Sequence, residues 1–255
     1  LKYGLTVNNV LGARVVMASG EIVELGGVLY DNPGPDLLAL ICVSEGMLGI
    51  VTQVTVALLP EPETKAVLLA AFREVVQAGN AVAAIISAGI IPAGMEMMDK
   101  MAVQAAEAFA KAGYPLDAEA ILIIELDGAA AELATLNTQV TDILRAYGAY
   151  QIDEAHDATQ QARLWKGRKS AFPAIGRLSP DYLCMDGTIP RKALPKVLTE
   201  IDTISQTFGL AVANVFHAAD GNLHPLVLFD ANVPGQTDHA MAMGAKILEA
   251  CVAAG

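Results

Sequence analysis

Two of the four histidines lie within eight residues, in the segment His217-Ala-Ala-Asp-Gly-Asn-Leu-His224. Asp-Gly-Asn is typical of a tight turn, because glycine and asparagine both tolerate positive φ angles. The segment therefore predicts two strands that fold back on each other and bring the imidazoles together. Two neutral imidazoles can bind a divalent metal, and Asp220 can orient one ring from behind. A structural hairpin with a histidine at each end explains the same residues, and residue types alone do not separate the two interpretations.

A cationic cluster, Trp165-Lys-Gly-Arg-Lys169, stands out in a chain whose net charge is -12. The guanidinium of Arg168 can bind a carboxylate through two parallel hydrogen bonds. A solvated helix end is the alternative, because cations are favoured near helix C-termini. The acidic net charge argues against nucleic acid as a partner and against direct binding to anionic lipid.

A third segment, Ser44-Glu-Gly-Met-Leu-Gly-Ile50, lies between a predicted short helix and a predicted strand. Glycines let the backbone approach a ligand closely, and free N–H groups at such a turn can meet a phosphate or the edge of a flavin. The segment matches neither the G-x-G-x-x-G pattern nor a Walker loop, so a plain glycine turn is the alternative.

The elements that must position these segments come from a chain of 255 residues, 54% of them hydrophobic, which is enough for a sizeable core. Ser19-Gly20 predicts a hairpin between two short strands. Residues 60–63, Pro-Glu-Pro-Glu, are typical of a linker, and we predict domains at 1–62 and 63–255. Beyond the linker strands alternate with helices, which predicts an α+β fold with helices on one face of a mainly antiparallel sheet.

Cysteine usage and the chain ends bear on where the protein works. The three cysteines, Cys42, Cys184 and Cys251, lie in apolar stretches and predict buried, unpaired thiols in a reducing compartment, the cytoplasm. Residues 75–95 are uncharged but carry apolar residues at helical spacing, which predicts a buried helix and not a membrane span. The first residues lack a secretory signal, and both ends interrupt predicted elements, so we expect an internal fragment of a longer protein.

In order and spacing, three segments resemble the FAD-linked oxidases of the vanillyl-alcohol oxidase superfamily, and the resemblance covers the whole chain. They are the segment from Tyr3 to Gly12, the glycine segment from Ser44 to Ile50, and His217-Ala-Ala-Asp-Gly-Asn-Leu-His-Pro225. The segments Gly94-Met-Glu-Met-Met-Asp99 and Trp165-Lys-Gly-Arg-Lys-Ser-Ala-Phe-Pro173 are similar to the members that oxidise small 2-hydroxy acids. The resemblance implies the C-terminal part of an FAD-binding domain, followed by a ferredoxin-like cap domain that is truncated at its C-terminus.

The resemblance also implies roles for individual residues. His217 and His224 correspond to a metal-ligating pair for zinc or iron, with Asp220 and Asn222 supporting them from behind. Arg168 falls where relatives bind the carboxylate of the substrate. The residues implied to contact FAD are Tyr3, Gly4, Ser44, Glu45, Gly46, Gly49 and Ile50.

The activity implied is oxidation of a small 2-hydroxy acid such as glycolate, with hydride transfer to flavin N5 and other subunits as electron acceptors. Cys184 stands where relatives carry a lysine that helps to bind larger dicarboxylic acids, which favours a small substrate. D-lactate is the alternative substrate, since one methyl group is hard to discriminate.

A different class of function, a flavin-free binding module without catalysis, also stays open. The family's pyrophosphate loop and its Glu-His-Gly segment lie outside this chain. We therefore expect the isolated chain to be inactive and to retain no FAD, and we expect membrane association only through partner subunits.

Overall fold

Two units make up the structure, a computed structural model that describes residues 2–28 and 34–255. The smaller unit is Tyr3–Glu61, and the larger one contains Lys2 and Pro62–Gly255. The division lies within the stretch 60–63, where prolines and charged residues interrupt the apolar pattern.

The smaller unit is built on a three-stranded antiparallel sheet in the order β2-β1-β3. The hairpin predicted at Ser19-Gly20 is confirmed, because β1 pairs with β2 and Gly20 has a φ of +84°. Its elements are β1 Val10–Val16, β2 Ile22–Gly26, α1 Leu37–Cys42 and β3 Ile50–Val56, with a 3-10 helix at Thr6–Asn9.

The larger unit alternates strands and helices, as its sequence predicts. Its strands are β4 Thr64–Phe72, β5 Gly94–Asp99, β6 Ala120–Gly128, β7 Ala149–Glu154, β8 Asp181–Cys184, β9 Gly187–Thr188, β10 Val212–His217, β11 Asn222–Leu223 and β12 Pro225–Phe229. Its helices are α2 Val75–Ser87, α3 Lys100–Ala110, α4 Ala130–Ala146, α5 Ala158–Lys169, α6 Ala171–Ile175, α7 Leu194–Phe208 and α8 Gln236–Ala254.

These strands form one antiparallel sheet in the order β7-β4-β6-β5-β10-β11-β9, with β12 pairing with β10 and β8. Taken in chain order, β7-β4-β6-β5 is the 4-1-3-2 arrangement of a ferredoxin-like fold. The α+β class and the antiparallel sheet are therefore confirmed. The second half of the chain extends this sheet from β5 through β10, so the two halves share one sheet.

Helices cover both faces of this sheet, and the prediction that they lie on one face is wrong. In β4, Leu68, Ala70 and Phe72 pack with α2, α4, α7 and α8. The alternate residues Val67 and Leu69 pack with α3, α5 and α6 on the other face. A strand that is apolar at every position must be covered on both sides, because successive side chains point to opposite faces.

Of the uncharged stretch 75–95, Val75–Ser87 form the predicted buried helix, α2, which turns Ala78, Val82 and Ile85 into the core, and the last two residues begin β5. No helix among residues 2–28 and 34–255 is long and apolar enough to cross a bilayer.

The prediction of unpaired thiols is confirmed for all three cysteines. The prediction that they are buried holds only for Cys251, since Cys42 and Cys184 are exposed. Cys42 ends the short helix α1, and Cys184 occupies an outward position of the four-residue strand β8. The apolar residues around these two cysteines therefore do not indicate that their thiols are buried.

Asp99 joins three elements at the end of β5. Its Oδ1 accepts a hydrogen bond from the N–H of Ala102 at 3.0 Å and so caps α3. Its Oδ2 accepts from the backbone N–H and the Nδ2 of Asn214 on β10, at 2.7 and 2.9 Å. Burial raises the pKa of the Asp99 carboxyl from 3.8 to about 6, and these hydrogen bonds offset only part of the rise.

Asp99 should therefore give stability a particular pH dependence. Because its folded pKa of about 6 exceeds 3.8, the folded state binds more protons between these values, and stability falls as pH rises through this window. The quantity to follow is the unfolding free energy of the wild type minus that of Asp99→Asn. We expect this difference to fall by on the order of 1–3 kcal/mol as the pH rises from 4 to 6. Urea titrations at a series of pH values measure this difference.

Asp117→Asn is the matched control. Asp117 is exposed, and its hydrogen bond from Tyr150 lowers the pKa of its carboxyl. Its contribution to stability is lost as pH falls, so the corresponding difference should rise with pH. A flat or rising difference for Asp99→Asn would contradict the assignment.

Candidate active site

The two histidines predicted to approach each other lie on a hairpin of the larger unit. β10 ends at His217, which pairs with Asn222 at the start of β11, and the turn between them contains Asp220 and Gly221. His224 occupies the single position between β11 and β12. The ring centroids of His217 and His224 are 5.2 Å apart and the rings are nearly perpendicular, at 87°. The Asp-Gly-Asn turn therefore brings the imidazoles into contact.

Gly221 allows this turn to form. Its φ is +73°, a left-handed conformation that residues with a Cβ rarely adopt. A Cβ at this position would also collide with the carbonyl oxygen of Ile189. The backbone of the turn thus packs directly against the chain that follows β9.

A carboxylate on the neighbouring strand, Glu96 of β5, lies opposite His217 in the register of the sheet. Residues opposite each other in an antiparallel pair have side chains on the same face. Glu96 Oε1 lies 2.7 Å from Nδ1 of His217. Its other oxygen, Oε2, accepts from Nε of Arg168 at 2.9 Å and forms an ion pair with Nη2 of Arg168 at 2.8 Å. We call Glu96, Arg168, His217 and His224 the ionic cluster.

The members of the ionic cluster differ in exposure. Glu96 and Arg168 are buried, each with a side chain 11% exposed, whereas His217 is half-exposed and His224 is mostly buried. Buried charges are costly unless they are paired and hydrogen-bonded, and here each charge is compensated by the other.

The two imidazoles also differ in their protonation. The hydrogen bond to Glu96 raises the pKa of His217. Burial lowers the pKa of His224, even though Asp186 Oδ1 lies 3.7 Å from its Nδ1. His224 is therefore the ring that the fold keeps neutral, while His217 is the ring that binds a proton more readily.

Arg168 does not lie at a solvated helix end, so that alternative is wrong for this residue, although it describes the exposed Lys166 and Lys169. Gly167 packs so closely on Tyr114 that a Cβ would collide with its ring and hydroxyl. The Tyr114 hydroxyl donates a hydrogen bond to the carbonyl oxygen of Leu164. This packing holds the end of α5 against the body of the unit, with the guanidinium of Arg168 at Glu96.

Asp220 and Asn222, which we expected to support the histidines, both lie on the hairpin. The backbone N–H of Asp220 donates to the carbonyl oxygen of His217 at 3.2 Å. Asn222 Oδ1 is buried, and no hydrogen-bond partner for it occurs in the described part of the chain. A buried acceptor without a partner, on the residue paired with His217, suits a site that receives a hydrogen-bond donor.

The ionic cluster fits a metal only in part. With Nδ1 of His217 engaged by Glu96, Nε2 is the nitrogen left for a ligand, the arrangement usual for metal-binding histidines. Within residues 2–28 and 34–255, however, no group of three His, Cys, Asp or Glu side chains could hold a metal ion. Of the expected metal site, the described residues thus supply two imidazole ligands and no third ligand.

The residues expected to contact FAD all lie in the smaller unit. Tyr3 and Gly4 precede the 3-10 helix, and the carbonyl oxygen of Tyr3 accepts a hydrogen bond from Asn9 Nδ2 at 3.2 Å. In the loop 44–50, Ser44 is buried and Ile50, the first residue of β3, is exposed.

Two glycines of this loop have different reasons to be glycine. Glu45 and Gly46 both have positive φ, +52° and +77°, and nothing lies within 4 Å of the position that a Cβ of Gly46 would take. This open left-handed turn fits the close approach of a planar cofactor to the backbone. Gly49 instead has a packing role, because a Cβ there would lie 2.6 Å from Val15 Cγ1.

Sequence reasoning missed Glu96. The methionines around it, Met95, Met97 and Met98, are buried in the core. The missed signal was the carboxylate itself, because a charged residue in the middle of a buried strand requires a partner.

The sequence profile described as FAD linked oxidases, C-terminal domain, matches residues 61–255. The chain is 56% identical over 255 residues to glycolate oxidase subunit GlcD of Escherichia coli (strain K12), covering 100% of this chain and 51% of that protein. It is 36% identical over 256 residues to glycolate oxidase subunit GlcD of Bacillus subtilis (strain 168), covering 100% and 54%. The chain thus spans about half the length of these relatives.

A more distant relative is the probable mitochondrial D-lactate dehydrogenase of Danio rerio, 30% identical over 91% of this chain and 48% of that protein. Among solved structures, p-cresol methylhydroxylase with substrate bound superposes with a TM-score of 0.70, covering 97% of this chain and 56% of that one. At 17% identity this likeness shows the fold alone.

Because the turn is closely packed, a methyl group at Gly221 should destabilise the protein more than a methyl group at a glycine with open space around it. Gly221→Ala and Gly209→Ala both place alanine in a left-handed conformation, which costs roughly 1–2 kcal/mol. Only Gly221 approaches another backbone atom, while nothing lies near the Cβ position of Gly209. We expect Gly221→Ala to lower the unfolding free energy by about 1–3 kcal/mol more than Gly209→Ala, measured by urea denaturation. Equal losses would show that the turn is not held against Ile189.

Proposed function

The chain belongs to the FAD linked oxidase family, and we propose that its protein oxidises glycolate, a small 2-hydroxy acid, to glyoxylate. The observation that carries the proposal is a buried guanidinium next to two imidazoles, in the unit that matches the family. The 56% identity to a glycolate oxidase subunit over the whole chain supports this substrate over others.

We assign residues 1–62 to the C-terminal portion of an FAD-binding domain and residues 63–255 to the cap domain that carries the substrate site. The residues proposed to hold FAD are Tyr3, Gly4, Ser44, Glu45, Gly46, Gly49 and Ile50. When bound, FAD supplies the acceptor for the hydride that leaves the α carbon.

Arg168 is proposed to bind the carboxylate of the substrate. Its Nε donates to Glu96 and its Nη2 lies 2.8 Å from the same carboxylate oxygen, and the guanidinium has further N–H groups that can donate to a ligand. A charged donor fixed by a buried partner positions a carboxylate at little cost in side-chain entropy. Its burial also excludes competing water, which strengthens the bond.

His217 and His224 are proposed to contact the hydroxyl side of the substrate. In the complete site they are two ligands of a divalent metal, zinc or iron, with Asp220 and Asn222 supporting them. The described residues hold no third ligand, and no step of the reaction is assigned to the metal here.

We further propose that other subunits accept the electrons, since the relatives named above are subunits of glycolate oxidase. Any association with a membrane would then occur through those subunits, because the net charge of -12 repels anionic lipid. The three free thiols support a reducing compartment such as the cytoplasm.

Steady-state turnover by the full-length protein that carries this chain tests the substrate. We expect kcat/KM for glycolate to exceed that for D-lactate, because the segment is more similar to glycolate oxidase subunits than to the D-lactate dehydrogenase. Discrimination by one methyl group is on the order of 10- to 200-fold. A preference for D-lactate would replace glycolate with the runner-up substrate, and a protein that binds no flavin would support the non-catalytic alternative.

Arg168→Lys tests the carboxylate contact in the same full-length protein. Lysine keeps the charge but cannot donate to Glu96 and to a carboxylate in the same fixed geometry. We expect kcat/KM for glycolate to fall by about 10- to 100-fold, the loss of one charged hydrogen bond. Arg163→Lys, on the exposed side of the same helix, is the control and should change kcat/KM by less than about twofold. Equal effects of the two substitutions would exclude a special role for Arg168.

A further inference from the structure

We propose that Glu96 is a positioning residue that fixes the tautomer of His217 and the orientation of Arg168 at the same time. The identity of the ligand rests on the function proposed above, whereas the positioning itself rests on geometry alone. Glu96 holds two side chains from distant parts of the chain, because Arg168 comes from α5 and His217 ends β10.

Each oxygen of Glu96 has its own partner. Oε2 accepts from Nε of Arg168 and lies 2.8 Å from its Nη2, and Oε1 lies 2.7 Å from Nδ1 of His217. A carboxylate only accepts hydrogen bonds, so Nδ1 must carry the proton in this contact. In a neutral ring the lone pair is then on Nε2, and the tautomer of His217 is set by Glu96.

Charge neutralisation alone does not explain this arrangement. Arg168 by itself balances the charge of Glu96, and both side chains are buried. A neutral imidazole adds nothing to that balance, and His217 is half-exposed, so burial does not force its contact with Glu96 either. The second contact instead removes the freedom of an otherwise mobile ring, which is the role of a carboxylate behind a functional histidine.

The atoms that Glu96 leaves unused complement each other. Arg168 keeps the N–H groups that do not face Glu96, and His217 keeps the lone pair of Nε2. A 2-hydroxy acid carries a carboxylate that accepts a hydrogen bond and, on the next carbon, a hydroxyl that donates one. Glu96 thus leaves a donor for the carboxylate of such an acid, and a lone pair for the metal or hydroxyl next to that carboxylate, without touching the ligand itself.

The experiment is nitrogen-15 NMR of the histidine rings in the 255-residue chain, at a pH well above the range in which histidine titrates. Four histidines give four sets of ring signals, and His217→Asn identifies those of His217. We expect wild-type His217 to be protonated on Nδ1. A wild-type ring protonated on Nε2 would overturn the proposal, whatever the variants do.

Glu96→Gln should invert this tautomer. The donors of Arg168 favour the amide oxygen of the glutamine, which turns its NH2 group towards Nδ1 of His217. Nδ1 must then accept, and the proton moves to Nε2. The Nε–H of Arg168 should also exchange faster with solvent. Thermal unfolding establishes that the variant is folded, and an unchanged tautomer in the folded variant would refute the proposal.

Glu125→Gln is the matched control, since Glu125 lies on the adjacent strand β6 and its side chain pairs with Lys65 at 3.5 Å. It removes the same charge nearby without touching His217, and the tautomer should not change. If Glu96→Gln does not fold, Glu96→Asp keeps the charge but is too short to reach both partners. We expect it to release one of them, and retention of both contacts would contradict the proposal. Turnover plays no part in this test, so a failure of the glycolate proposal leaves its outcome readable.

Discussion

The pairing of β5 with β10 is the constraint on which the rest of the structure depends. It joins the ferredoxin-like half of the sheet to the second half, and it places Glu96 opposite His217. Three residues further along β5, Asp99 binds the backbone and side chain of Asn214 on the same strand β10. Because side chains alternate along a strand, Glu96 and Asp99 leave β5 in opposite directions. A slip of one residue between β5 and β10 would turn Glu96 away from His217 and Asp99 away from Asn214.

Much of the fold follows from local patterns in the sequence. The hairpin at Ser19-Gly20, the helix α2 and the Asp-Gly-Asn turn all depend on neighbours within a few residues, and each forms as predicted. The prediction that helices cover one face of the sheet was wrong because the side on which each helix packs depends on tertiary contacts. A short segment of sequence does not contain that information. The unbroken apolar run of β4 did carry that information, since a strand exposed on one face would alternate with polar residues.

The ionic cluster shows the same limit at the level of single residues. The histidines could be predicted to meet because eight residues and one turn connect them. Glu96 could not be assigned to them, since 121 residues separate it from His217 and only the register of β5 and β10 brings them together. Arg168 was singled out for its charge, yet its burial depends on the contact of Gly167 with Tyr114, which lies far away in sequence. The roles of Arg168, His217 and His224 in catalysis stay predictions, as do those of the FAD-contacting residues.

The charges of the cluster constrain how this protein can recognise an anion. With both imidazoles neutral, Glu96 and Arg168 cancel, so these four side chains have no net positive charge of their own in a chain of net charge -12. What these side chains themselves offer an anion is a directed donor in a buried, weakly screened environment. Binding of this kind depends on the direction of the guanidinium N–H groups to within a fraction of an ångström. On the proposed function, Glu96, which fixes this direction, is as necessary to recognition as the guanidinium that makes the contact.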